Sequence, residues 1–479
     1  LLDDRKPAHD AILDVVSFTE RDLEYLDPMR LDREIARAAP AVKRWRRRLR
    51  AGEGLDTDPF QGLRIVASRR AFGAVRELPE YDPLRPALLA WIYRLTEQRV
   101  NGGALVATTV AERHTEHVVN EPERVKLSLA SLRARALSDP ARRAAWLSSF
   151  ERSAPALGDA AAVLWERRQE FASRMDLASP DAIESPGGAS TSGVESPGGA
   201  STGGDAVVAA ASKWLDRTAD LLEGPNRMTL ANLVDAALGE RAREGWPRAL
   251  TPWTILDWFR GSDLFRDVDL DPGELPRPFA PASYMRALSR VGAAWVDATA
   301  PSDQPFVIAH DPYGLRRRTM GALLGALPWN APFARRALGL GSARLPEHRR
   351  ALGVAVLVAS RAAALRALLR SSALAGHRAF RDSFEEHAAR AFRLALRPDL
   401  AGAVFRLHAD DLQRFAGMLL AGAEFRRLVE HHEEDWYRNP RAVEQLRDEA
   451  RLSPERTTTD SALAAGADAL YDELYAALR

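Results

Sequence analysis

The chain has no cysteine at all among its 479 residues. That excludes disulfides, thiolate nucleophiles, iron–sulfur clusters and Cys-ligated zinc together. Lysine is almost as scarce, with Lys6, Lys43, Lys126 and Lys213 the only four among 67 basic residues. Isoleucine is also rare, so the arginine bias reads as a compositional habit of the coding sequence, not a device for phosphate. No long apolar run spans a bilayer: the strongest, Ala351 to Ser360, is flanked by Arg350 and Arg361 and is about half the length a membrane helix needs. No transmembrane segment is expected, and the cytoplasm is the default compartment.

Charge of one sign is lacking too. Net charge is +1, and neither half carries the basic excess of a nucleic-acid domain. Several motifs are missing. No GxxxxGK[ST] or GxSxG occurs, and the order His114-Thr115-Glu116-His117 is neither HExxH nor HxxEH. Asp410-Asp411-Leu412-Gln413-Arg414 places arginine where a DDxxD metal motif requires a carboxylate.

The most conspicuous feature present is the segment 184–205, ESPGGASTSGVESPGGASTGGD, in which Glu184 to Thr191 recurs letter for letter at Glu195 to Thr202. So much Gly and Pro, with Val194 as the only large apolar residue, cannot bury enough surface to offset the entropy of ordering. The segment is expected to be a disordered linker or loop insertion between an N-terminal helical block, 1–183, and a C-terminal one, 206–479.

Helix signals fill both blocks. Asp-Pro pairs at 27, 58, 82, 139, 271 and 311 combine a side chain that accepts orphan N–H bonds with a residue suited to a first helical turn. Further starts are expected at Thr19, Thr229, Thr251, Asn330 and Asn439. Pro305 to Ala309 is the best strand candidate, yet it has no evident partner. The expected fold is all-α: two multi-helix bundles or lobes joined by the Gly/Pro/Ser-rich segment.

Three constellations carry chemistry. In AVKRWRRRLR, residues 41–50, Ile35, Val42, Trp45 and Leu49 form an apolar stripe that leaves Arg44, Arg47 and Arg48 on the wet face, where they would bind nucleic acid or an acidic partner. His114, His117 and Glu121, if helical, would share a face and hold a divalent metal. The run from His431 to Asn439 gathers His431, His432, Glu434 and Asp435 as catalytic candidates beside Trp436, Tyr437 and Arg438 as binding candidates, at a helix–helix junction. Each also has a plain structural explanation: a solvated helix face, a polar patch, a pinned turn.

The leading expectation is a non-catalytic helical interaction or scaffold protein with a protein partner. The alternative is a metal-assisted hydrolase, or a degenerate relative of a helical metalloenzyme, using one of the two His/Glu/Asp clusters. Third is nucleic-acid binding through the Arg-rich helix. The cofactor, if any, is unknown apart from that divalent metal. The last segment, with Leu463, Leu470, Leu474 and Leu478 on one stripe, is expected to dock on its own core.

Overall fold

A computed structural model describes residues 19–24, 26–185, 203–222, 228–243, 246, 264, 280–451 and 458–479. The chain is 73% helical, with 21 α-helices among the described residues. These run α1 (Arg21–Glu24), α2 (Pro28–Ala51), α3 (Arg69–Arg76), α4 (Arg85–Val100), α5 (Gly102–Arg113), α6 (Leu129–Ser138), α7 (Arg143–Ser153), α8 (Pro155–Arg174) and α9 (Asp181–Glu184) before the repeat. After it come α10 (Gly203–Arg217), α11 (Leu230–Leu238), α12 (Pro281–Ala298), α13 (Phe306–Ala309), α14 (Leu315–Gly325), α15 (Ala331–Arg336), α16 (Leu345–Leu374), α17 (His377–Phe392), α18 (Ala401–Val404), α19 (Asp411–His432), α20 (Pro440–Arg451) and α21 (Asp460–Leu478). The all-α expectation holds.

The Asp-Pro pairs act as their chemistry dictates. Asp27 accepts from the Met29 N–H at 2.9 Å and opens α2 with Pro28 at its first position. Asp58, Asp82 and Asp311 make the same bond two residues on, to Phe60, Leu84 and Tyr313, in turns that precede helices. Thr229 and Asn330 cap α11 and α15. Thr251, Asp271 and residues 186–202 lie outside the described residues. On α2 the stripe Leu31, Ile35, Val42, Trp45 and Leu49 is buried as its spacing requires. The C-terminal stripe on α21 docks on α19 and α16 with Leu463, Leu470, Leu474 and Leu478 buried.

Three local expectations need correction. Phe306 to Ala309 is a helical turn, not a strand, because the buried Asp32 carboxylate on α2 accepts the N–H groups of Phe306 (3.1 Å) and Val307 (2.8 Å) and caps it. The strands are elsewhere: Glu116–Val119 (β1) and Val125–Ser128 (β2) form an antiparallel hairpin with His117 opposite Leu127. Arg361 does not end an apolar stretch. α16 runs through it for 30 residues, and the guanidinium is wholly buried, donating to the carbonyls of Leu215, Ala391 and Arg390 at 2.7–2.9 Å. It thereby satisfies orphan carbonyls at the ends of α10 and α17. Helix α16 is long and apolar enough to cross a membrane by length and composition alone, and 78% of its apolar window is buried inside the fold.

Two apolar clusters pack the interior, and each draws on both sides of the repeat. The larger joins Val119 through Trp165 to residues from Ala206 to Leu478. The smaller unites α2, α3 and α4 with Phe171, Met175 and Ile183, and with Val307 and Tyr313 from far along the chain. The two ends of the repeat also meet, since a Cβ on Gly204 would overlap the Ser185 side chain. An insertion whose ends touch leaves the packing around it continuous. Glu184, expected to start the linker, is fully buried instead.

Close helix crossings shape the cavity described next. Gly292 on α12 and Gly321 on α14 let the two backbones approach until an added Cβ would lie 2.6 Å from the Met320 carbonyl and 2.8 Å from that of Ser289, respectively. Side chains there are replaced by backbone contact.

Candidate functional site

Small residues on neighbouring helices leave a cavity of about 540 Å³ in the larger core. Gly321 and Gly325 of α14 with Ala326 just beyond it, Ala355, Ala359 and Ala362 of α16, and Ala421 and Gly422 of α19 form its walls. Its volume is in the range of small-molecule sites. The polar groups are uneven. Arg286, Arg317, Arg318, Arg349, Arg366 and Arg414 line it, against Glu434 and Glu473.

The deep end centres on the first turn of α19. Asp410, buried, accepts from Arg318 and from Arg414 Nε at 3.1 Å. Asp411, also buried, lies 3.4 Å from Arg366 and 3.8 Å from Arg414, accepts the His408 N–H at 2.6 Å, and leaves Oδ1 without a hydrogen bond. Their environments push the two carboxyls apart. Burial alone would raise Asp410, but Arg318 and Arg414 outweigh it and hold that group well below the usual carboxylate range. For Asp411 burial wins, and its pKa is raised. His408 is held well below its usual value, first by burial and then by Arg414, so its imidazole is neutral at physiological pH.

Arginines on α2 and α4, outside the cavity lining, are electrostatically coupled to Asp410. Arg46 and Arg50 of α2 stand one turn apart, beside the apolar stripe that fixes their direction. Arg46 forms no ion pair among the described residues. The Gln98 carboxamide oxygen, turned toward its donors, accepts from Arg46 at 3.1 Å and from Arg94 Nε at 2.6 Å. Burial, then the neighbouring Arg94 and Arg50, pushes Arg46 down to about 9. Arg50 is exposed, and its pKa is lowered first by desolvation and then by Arg414. Arg94 lies over the Tyr313 ring, 5.4 Å from its centroid.

A second buried ionic hub adjoins this one and is differently balanced. Glu184 accepts from Arg168 and Arg370, Arg370 Nε donates to Asp181 at 2.6 Å, and Glu97 lies 3.6 Å from Arg168. The two guanidiniums here meet three carboxylates. The Tyr93 and Tyr313 hydroxyls, electrostatically coupled to this hub, are buried without a hydrogen-bond partner.

The candidates read from the sequence fall as follows. Arg44, Arg47 and Arg48 are exposed on the outer face of α2, and Trp45 is core. His114 ends α5 with its ring 2.9 Å from the Gly52 carbonyl, whereas His117 sits on β1 and Glu121 in the turn that follows. The shared helical face assumed for a metal is therefore not formed. No three His, Asp or Glu side chains stand close enough to hold a metal ion among the described residues. Helix α19 closes at His432 because Glu433 adopts φ +68°, so His431 and Asp435 do not align on one helix. His431 Nδ1 lies 2.8 Å from the Arg427 carbonyl, His432 Nε2 2.8 Å from Gln445 Oε1, and Asp435 pairs with Arg336. Trp436 and Tyr437 are wholly buried and out of a ligand's reach; Arg438 is exposed. Glu434 alone of this group reaches the cavity.

No family model and no curated protein sequence matches the chain. Among solved structures, one titled "PZ PEPTIDASE A with inhibitor 2" aligns with a TM-score of 0.47 and 9% identity, over 87% of each chain. Likeness of that depth defines neither a family nor an activity.

Proposed function

We propose that this is a non-catalytic binding protein, a helical interaction module that takes an anionic group of its ligand or partner into the arginine-lined cavity. One observation carries the reading. Arg318, Arg366 and Arg414, from three different helices, line one cavity, and among the described residues the carboxylates they pair with are Asp410 and Asp411. These guanidiniums are half-buried and outnumber the carboxylates they meet among the described residues, so the local field favours an incoming anion. An oxyanion from outside meets them with charge-assisted, bidentate bonds. Of the two clusters on which the hydrolase alternative drew, His114, His117 and Glu121 do not share the helical face it assumed, and His431 and Asp435 do not align on one helix.

The test is a thermal shift with orthophosphate, ionic strength held constant with sodium chloride. Ligand that binds only the folded chain raises Tm, with about 2.7 kcal/mol gained at a hundredfold excess over Kd. The rise should disappear in Arg414→Met and in Arg366→Met. A chain whose Tm responds equally to phosphate and chloride, or whose Arg366→Met variant keeps the full phosphate response, does not use this cavity for anions.

A further inference from the structure

The cavity is long, and its two ends differ in charge. Along α19 it is lined by Arg414, Met418, Ala421, Phe425 and Val429, one helical face read at steps of three and four residues. From Arg414 to Val429 that face covers about 22 Å. Helix α16 runs the opposite way, since Arg366 lies 3.4 Å from Asp411 at one end while Arg349 lies 4.0 Å from Glu473 at the other. Helix α21 runs with α19, Gly466 against Leu419 and Asp472 2.7 Å from Arg426, which puts Glu473 beside the last turns of α19. Arg318, Arg366 and Arg414 therefore mark one end, and Glu434 and Glu473, with Arg349, mark the other.

The walls between these ends are apolar. Met418, Phe425 and Val429 are large apolar residues left half-buried by the cavity, and they face the small residues of α14 and α16. Between the ends, the polar side chains that line the cavity among the described residues are Ser289 and Arg286 of α12. A peptide laid along this stretch finds few partners for its N–H and C=O groups, each costly to leave unbonded. A hydrocarbon chain has none to satisfy, and its burial is favourable in proportion to its length.

The dimensions also select a single chain. Spread over about 22 Å, the volume of about 540 Å³ leaves a channel about 5 Å wide on average. Packed carbon atoms stand about 3.5–4.0 Å apart, so one chain fits and two side by side do not. The apolar stretch from Met418 to Val429 is about 16 Å long, the reach of an extended chain of about a dozen carbons.

We infer that the ligand of this protein is a single-chain amphiphile, its anionic head group held by Arg318, Arg366 and Arg414 and its unbranched apolar tail lying along Met418, Phe425 and Val429 toward Glu434. The inference rests on the anion-binding reading above and deepens it by naming what the anion is attached to. Glu434 and Glu473 set the orientation, because they disfavour an anion at their end. A tail laid between α14, α16 and α19 has left any bilayer, so the ligand is bound as a separate molecule.

The experiment is calorimetric titration of the full chain with ethyl, butyl, hexyl and octyl phosphate, each below its micelle concentration and at one ionic strength. Affinity is expected to rise about three- to fourfold with each added methylene. Octanol, which lacks the charge, is expected to bind at least tenfold more weakly than octyl phosphate. Ala362→Phe fills the middle of the channel and is expected to cut the advantage of octyl over ethyl phosphate at least tenfold. Ala359 is exposed on the same wall, so Ala359→Phe, with the same expectation, keeps the test alive if Ala362→Phe does not fold. Equal affinities across the series overturn this inference and leave the anion-binding reading standing. So does a chain-length advantage that survives both substitutions, since the tail then lies elsewhere. Octanol binding as tightly as octyl phosphate, or failure of every phosphate to bind, overturns the two readings together.

Discussion

Glu184→Gln tests whether the ionic hub at the foot of the site holds the two cores together. The Glu184 carboxylate is fully buried and accepts from Arg168 on α8 and Arg370 on α16, while the Gln413 amide donates to its backbone carbonyl. Gln keeps the shape but supplies no charge, so two buried guanidiniums lose their shared counter-ion, a loss that typically costs about 3–5 kcal/mol. The entropy of unfolding, about 2.1 cal/mol/K per residue, amounts to roughly 1 kcal/mol per degree for a chain this long. Differential scanning calorimetry at pH 7 should therefore show Tm falling by about 3–5 °C. The pH dependence supplies a second reading. Burial would raise the Glu184 pKa, but Arg168 and Arg370 together outweigh it and leave it below the ordinary value. Its contribution is thus fully present above the unfolded pKa of about 4.3 and is lost as pH falls through the lower folded value. Acid destabilisation below about pH 4.3 should be shallower in the variant. Replacing Glu184, Arg168 and Arg370 together by Met should recover most of the loss, because a whole buried ionic cluster is worth little more than apolar side chains of the same volume. A Tm within 1 °C of the parent, with unchanged acid sensitivity, would falsify the assignment of Glu184 as the counter-ion joining the cores.

Three further substitutions probe the helix packing and the neutral imidazole. Gly466→Ala would put a Cβ against the Leu419 and Leu420 backbone of α19, so α21 must move outward; a cost of about 1–3 kcal/mol is expected in urea denaturation. Gly73→Ala on α3, where nothing lies within 4 Å, should instead stabilise by about 0.5–1 kcal/mol, and equal signs at the two positions would refute the close crossing. His408 is held neutral by burial and by Arg414, so its folded pKa lies well under the unfolded value. Its stabilising contribution is complete above about pH 6.5 and declines as pH drops below that. His408→Gln should flatten the urea midpoint between about pH 6.5 and 5, and an unaltered slope there would count against a buried, uncharged ring.

How far the sequence could be read depends on whether a feature is local. The caps at Asp27, Thr229 and Asn330 and the stripe from Leu31 to Leu49 are set by neighbours within a few residues, so spacing revealed them. The site depends on convergence between α14, α16 and α19, whose arginines 318, 366 and 414 lie about fifty residues apart along the chain, and periodicity carries no such information. On α2 the arginines 44, 47, 48 and 50 are all exposed, and Arg46, on the flank of the apolar stripe, is half-buried. Two signals were present. Arg361, Arg366 and Arg370 interrupt an otherwise apolar helix, where an arginine is costly without a dedicated partner. The segment Asp410-Asp411-Leu412-Gln413-Arg414 fails as a metal motif because Arg414 occupies its last position, and that same arginine pairs with Asp410 and lines the cavity. The hairpin at 116–128 was invisible for another reason: four-residue strands with a single partner leave almost no alternation to detect.

The two ionic clusters also differ in what they can be for. Around Glu184, carboxylates equal or outnumber guanidiniums and nearly every charge is paired within the protein, as expected of a hub that fixes how two cores meet. Around Asp410 the balance among the described residues is reversed, and its arginines are 22–38% exposed where Arg168, Arg370 and Glu184 are 0–5% exposed. Stability alone would favour Met or Leu at Arg366 and Arg46, since apolar side chains of that volume fill a core without desolvating a charge. On the proposed reading, the surplus of guanidinium groups beside the cavity lowers the stability of the empty protein and an anion that binds there restores it, whereas the paired Glu184 cluster serves the packing of the two cores.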